Sequence, residues 1–226
     1  MANECNVAAM HIGDHELPPD QARDILCDYA RRHDRTVLLY DLAGDAAGHP
    51  GPGGAAEPVN AVTMADIGRL VIIGAGLRPA DVPVLLDGAS PSMFAAVQAT
   101  ARLEEWVPGG SLDSAATALY DQFRPGGIGG AKRSKLLHLK RPWLVPIYDT
   151  RVDRVYKRRV AELSVEVDLG AAWWEAPKRD LVDGADDFAW LAASLAADDD
   201  EAIRRVGSLT ALRLLDILAW TLGELR

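Results

Sequence analysis

Residues 125–152 read PGGIGGAKRSKLLHLKRPWLVPIYDTRV. The stretch is basic and punctuated by glycine, and it ends on one carboxylate, Asp149, two residues before Arg151. Gly126, Gly127, Gly129 and Gly130 bracket Ile128, and helical patterns flank them over 111–123 and 131–140. Helix, glycine turn and helix make a tight αα-hairpin, in which glycine supplies positive φ and lets a partner approach the backbone closely. The first amides of the second helix lack intrahelical acceptors, and the helix dipole favours an anion there. Lys132 and Lys135 stand one turn apart nearby, so Gly127, Gly129, Gly130, Lys132 and Lys135 form a candidate phosphate grip. A plain helix connector would show the same pattern.

Working outward, Arg141-Pro142 ends the second helix, because proline lacks a donor and restricts the residue before it. Residues 143–148 are then an extended, mostly apolar connector. It delivers Asp149 to the start of a helix running to about Leu163. An aspartate there serves as an N-cap. In a cleft beside the anion grip it would be a catalytic carboxylate.

Charge is divided unevenly. The chain has 226 residues, 24 Lys/Arg and 33 Asp/Glu, for a net −9. Residues 124–159 hold eleven Lys/Arg and two Asp, net +9, so the remainder holds 13 basic and 31 acidic residues, net −18. Global acidity opposes general nucleic-acid affinity, while a local positive segment can bind phosphate or simply be a solvated basic helix with acidic neighbours. DNA contacted through 124–159 is the candidate partner. No membrane partner is expected, since no apolar run reaches the length of a membrane span. The acidic N-terminus is unlike a signal peptide, which points to the cytoplasm. The two cysteines, Cys5 and Cys27, have no metal-ligand spacing, and the five histidines form no clamp, so no metal and no cofactor is expected.

The rest of the chain reads as helices. Residues 1–18 look loosely ordered. Pro19 opens a helix to about Arg32, and Thr36–Tyr40, TVLLY, is the one strand candidate. Residues 43–58, rich in glycine and proline, read as a flexible loop. Thr63 caps a helix from Met64 to about Gly74. Pro79 opens a helix to Leu86, Pro91 opens another through Trp106, and Ser111 caps the first hairpin helix. Two helices carry Trp173, Trp174, Phe188 and Trp190. A last, buried helix begins with Ser208 as its cap. The expected fold is all-α with minor β, residues 19–226 forming a single compact domain with room for two lobes around the basic segment at 111–160.

In this order the features resemble the helix-hairpin-helix DNA glycosylase superfamily. Pro125, Gly127, Ile128 and Gly129 look like its L-P-G-V-G hairpin, and Leu136 and Leu137 fall where its helix leucines belong. Pro146, Ile147, Asp149, Thr150, Val152, Arg154 and Val155 are similar to its P-hydrophobic-x-V-D-T-H-V segment. The resemblance implies a helix-hairpin-helix glycosylase-like fold, DNA binding, and a catalytic role for Asp149 in hydrolysing an N-glycosidic bond. Asp149 would stabilise an oxocarbenium-like sugar and help water attack it. A tryptophan or Tyr148 would stack on an extruded base. The chain departs from the pattern at Gly126, which is inserted, at Lys132-Arg133 in place of Thr-Ala, and at Arg151 in place of histidine. Ala131 occupies the position of the lyase lysine, so the implied enzyme is a monofunctional hydrolase. The family's four-cysteine cluster is absent.

A closer similarity is to a family of bacterial proteins of unknown function with the string K-L-L-x-x-K-R-P-x-L-I-P-V-Y-D. Lys135, Leu136, Leu137, Lys140, Arg141, Pro142, Leu144, Val145, Pro146, Ile147, Tyr148 and Asp149 fit it. A later motif, L-R-x-x-D-x-x-x-W, is matched by Leu212, Arg213, Asp216 and Trp220. Arg213 and Asp216 stand i,i+3 and can pair with each other. Alternatively Arg213, like Arg151, supports the pocket around Asp149. Two other functions stay open: a non-catalytic nucleic-acid-binding or structural module, and an enzyme acting on a small nucleoside or other metabolite.

Overall fold

The computed structural model describes residues 9–42, 59–165, 167 and 169–224. Among them are eleven α-helices, short π- and 3₁₀-helical turns, and one two-stranded antiparallel sheet. The fold is therefore all-α with minor β. The chain divides into two compact units, one made of the residues up to Arg32 and from Arg151 onward, the other of His33–Thr150. The loop expected at 43–58 lies outside the described residues.

The first unit begins with a hairpin, β1 (Met10–Ile12) and β2 (His15–Leu17), paired Met10 to Leu17 and Ile12 to His15. This is where the sequence reading has loose order. Gly13-Asp14 forms a two-residue, glycine-first loop with Gly13 at φ +59°, and Met10, Ile12 and Leu17 are buried. The turn packs so closely on a neighbouring helix that a Cβ at Gly13 would sit 2.5 Å from the Val155 carbonyl oxygen. Next come α1 (Pro19–Thr36), interrupted by non-helical His33, then α7 (Thr150–Leu163), α8 (Leu169–Asp183), α9 (Ala185–Ala196), α10 (Glu201–Gly207) and α11 (Ala211–Glu224). α11 is buried from Leu212 to Ala219 and packs on β1, α8 and α9. Its cap is Thr210, whose Oγ1 accepts the Arg213 amide at 3.0 Å. Ser208 instead bonds the Arg205 carbonyl. The extra helix α10 is capped by Asp200, which accepts the Ala202 amide.

The second unit holds α2 (Met64–Ile72), α3 (Asp81–Asp87), α4 (Pro91–Ala95), α5 (Ser111–Asp121) and α6 (Gly130–Lys140). The expected strand at 36–40 is not one: Val37–Asp41 is a π-helical turn. Its Val37 and Tyr40 are buried while Leu38 and Leu39 are exposed, and burial three residues apart is a helical spacing. The Tyr40 hydroxyl also bonds the Lys135 carbonyl at 2.7 Å. The helix expected from Pro91 to Trp106 stops at Ala95, and only a 3₁₀ turn at Leu103–Glu105 follows. The Arg141 guanidinium takes the carbonyls of Phe94 and Val97, competing with continuation of the helix. Thr63 does cap α2, in a reciprocal box with Asp66. Ser111 caps nothing, since Gly110 holds the cap position of α5.

Candidate functional site

The hairpin is built from α5, a turn and α6. Gly127 has φ +74°, and its amide bonds the Arg124 carbonyl at 2.9 Å. Ile128 is buried and bonds back to the Phe123 carbonyl. At Gly126 a Cβ would lie 2.1 Å from Val84 Cγ1, so this glycine is a packing requirement. The amides of Gly127 and Ile128 are thus used by the turn itself. Those of Gly129, Gly130 and Ala131 have no acceptor among the described residues, as expected of a helix start. The Gly130 carbonyl accepts the Tyr120 hydroxyl at 3.1 Å.

The lysines behave differently from a solvent-facing grip. Lys132 Nζ lies 2.6 Å from Asp81 Oδ2, with only 18% of its side chain exposed. Asp81 is itself buried, and bonds from Arg78 and then Lys132 hold its carboxyl well below the usual carboxylate range. Lys135 is 10% exposed, with Nζ 3.5 Å from the Ile73 carbonyl and 3.9 Å from Asp149 Oδ2. Arg133 bonds Asp121 and the Tyr120 carbonyl, and its guanidinium stacks on the Tyr120 ring. Lys140 meets buried Asp66 at 2.6 Å, and Arg69 meets the same carboxylate at 3.3 Å. Arg141 is fully buried, and no carboxylate among the described residues pairs with it. It donates to the carbonyls of Val59, Phe94, Val97 and Lys140 and to Asn60 Oδ1, and burial lowers its pKa to about 10, so it stays cationic near neutrality. The basic string thus works largely as internal cross-links from α6 to α2, α3 and the loops after α4.

α6 also sets the position of Asp149. Ser134, fully buried, accepts the Tyr148 amide at 3.0 Å and donates to the Tyr148 carbonyl at 3.2 Å. His138 Nδ1 meets the Val145 carbonyl at 2.7 Å. The connector is therefore clamped at two points one α6 turn apart. Asp149 follows the second clamp, directly before α7, with 16% of its side chain exposed. The Tyr148 ring stands beside Gly130.

The other candidates lie in the other unit. Arg151 pairs with Glu224 at 2.9 Å and its guanidinium lies 4.1 Å from the Trp220 ring centre. Arg213 is buried and reaches the Tyr29 hydroxyl at 3.3 Å, and Asp216 is buried on the same helix. No group of three His, Cys, Asp or Glu suited to a metal occurs among the described residues. No single helix among them is long and apolar enough to cross a membrane.

Sequence reading missed Ser134, Asp81 and Asp66 as the groups that place the connector and take up the cations. Only Asp66 had a local signal, the T-x-x-D capping pattern from Thr63. It also missed Asp180 in α8, whose partners Gly13 and Arg159 lie far away in sequence.

Comparison with curated proteins and with solved structures finds no match. The profile of a family of unknown function (DUF6308) matches residues 48–223, a span that includes the hairpin, Asp149 and the Arg213–Trp220 motif, and the chain belongs to that family.

Proposed function

We propose that the protein hydrolyses N-glycosidic bonds, with Asp149 as the carboxylate that stabilises the sugar cation and directs water, on DNA approached through the α6 amides. The observation that carries this reading is the mounting of Asp149. A half-buried carboxylate is held next to Lys135 on a connector clamped by Ser134, and the preceding Tyr148 ring lies against Gly130 at a helix start whose first three amides have no acceptor among the described residues. Fixed carboxylates beside a developing positive charge are what such a transition state requires. Because Lys132 and Lys135 lie against Asp81 and Asp149, phosphate contact would rest mainly on main-chain amides. That same pairing favours a second reading, a small N-glycoside substrate with few or no phosphates.

The test is base release by purified protein from duplexes carrying deaminated, alkylated or oxidised bases, and in parallel from free nucleosides. Wild type should act on one of the two classes. Asp149→Asn should lose roughly 10²–10⁴ in rate. Asn caps a helix about as well as Asp, so the midpoint of thermal unfolding should move by only a few degrees, within about 1 kcal/mol. Base release from neither class, or full activity in the Asn variant, removes the reading.

A further inference from the structure

Away from Asp149, the first unit contains a carboxylate with no part in the proposed chemistry. Asp180 of α8 is completely buried. Its Oδ2 accepts the Gly13 amide at 2.6 Å, and its Oδ1 lies 3.1 Å from Arg159 Nη1 of α7. Arg159 Nη1 in turn donates to the Gly13 carbonyl at 3.4 Å. The three residues close a ring that fastens the hairpin tip to α7 and α8. Beside it is a cleft of about 470 Å³ walled by His11, Gly13 and Glu16 of the hairpin, Arg158 and Arg159 of α7, and Arg179 of α8. Whatever loosens the tip alters this cleft.

The groups facing Asp180 are His11 from β1, and Tyr156 and Arg159 from α7, with Asp216 of α11 beyond Tyr156. The Tyr156 hydroxyl lies against Asp180, with no well-shaped bond to it or to another group among the described residues. Burial is the dominant influence on Asp180 and raises its pKa to about 6, against the opposing pull of the Gly13 amide and Arg159. Loss of water thus disfavours the charged carboxylate by more than the Gly13 amide and Arg159 favour it, although both still hold it in the docked hairpin.

We propose that Asp180 is a proton-operated latch on the β-hairpin, docking its tip more firmly when the carboxyl is neutral and releasing it toward the cleft when the carboxyl ionises. The direction follows from linkage. Undocking hydrates Asp180 and returns it to an ordinary carboxylate, so the docked form binds the proton more tightly than the undocked form. Acid therefore favours docking. Between pH 7 and pH 5 the opening equilibrium should fall by about tenfold.

The experiment is amide hydrogen exchange of the full chain at pH 5 to 7.5, corrected for intrinsic rates, read at Gly13 and at the paired amides of β1 and β2. Protection should rise about tenfold on going from pH 7 to pH 5, and the effect should vanish in Asp180→Asn while persisting in His11→Gln. A pH-independent protection, a rise toward alkaline pH, or an unchanged pH effect in Asp180→Asn would each overturn the latch. If the Asn variant fails to fold, the carboxyl carbon of Asp180 in wild type decides by NMR: its titration must coincide with the change in protection.

Discussion

Asp149 and Asp180 show how environment assigns work to identical side chains. Asp149 is partly exposed, with the Lys135 ammonium at 3.9 Å. Asp180 has lost water entirely, and its folded pKa of about 6 lies above the unfolded value near 4. The folded state therefore keeps a proton that the unfolded chain releases, and the contribution of Asp180 to stability falls as pH rises from about 4 to about 6, then stays flat. The full span is of the order of 3 kcal/mol. Urea unfolding of wild type and Asp180→Asn across pH 4.5 to 8 checks this. The stability difference, wild type minus variant, should grow as pH falls through 6 and be constant above 7. A difference independent of pH would show that Asp180 ionises normally in the fold. Arg141 is the converse case. A buried cation is tolerated because its guanidinium donors meet four carbonyls and an amide oxygen.

At the scale of an element, α6 is the organising piece of the second unit. Its outward charges turn inward to Asp66, Asp81 and Asp149, and its Ser134 and His138 hold the returning connector. Its N-terminus can be altered without touching those bonds. Gly129 sits at the cap with φ −65° and ψ 157°, which any residue can adopt, and a Cβ there meets nothing within 4 Å. Gly129→Asp should cap α6, leaving stability unchanged or raising it by a few tenths of a kcal/mol. The added carboxylate would occupy the amides that the proposed phosphate needs, so DNA binding should drop several-fold. Unchanged binding, measured by fluorescence anisotropy, would exclude those amides. Gly127→Ala is the contrasting change. Its φ of +74° penalises a side chain, and a loss of about 1–2 kcal/mol is expected.

The hairpin's extent was legible in the sequence for related reasons. Glycines at 126–130 and Pro142 act on the backbone within a few residues, and the helices start and stop where those residues require. The π-helical turn at Val37–Asp41 was not legible, because TVLLY satisfies strand and helix propensities alike. Its outcome depended on Lys135 offering a carbonyl to Tyr40 from 95 residues away. The early end of α4 was hidden for the same reason, since Arg141 supplies the competing donors.

For the whole molecule, much of the net +9 of residues 124–159 is met by neighbouring carboxylates. Arg124, Lys132, Arg133, Lys140, Arg158 and Arg159 all meet acidic groups, and Arg141 is buried among carbonyls. Few cations remain to displace counterions. If DNA binds, the slope of log K against log salt should be no steeper than about −3, where eleven phosphate contacts would give about −10. Titration of a short duplex between 25 and 200 mM salt measures it. A slope near −10 would mean that the internal pairs open on binding.

By itself the sequence determined the helical class, most helix limits, the glycine turn and the junction at which Asp149 stands. These are governed by φ preferences, caps and 3.6-residue periodicity, all of which act within one or two turns of chain. Only the tertiary structure decided what the charges do. Whether a lysine meets water, a phosphate or a buried carboxylate depends on residues such as Asp81 or Asp66, which lie 51 and 74 positions from Lys132 and Lys140. No local pattern encodes that distance. The same holds for Asp180, whose character comes from the loss of water around it and from a glycine amide 167 residues away. Desolvation is a property of the packed surroundings, and it appears only when the chain has folded.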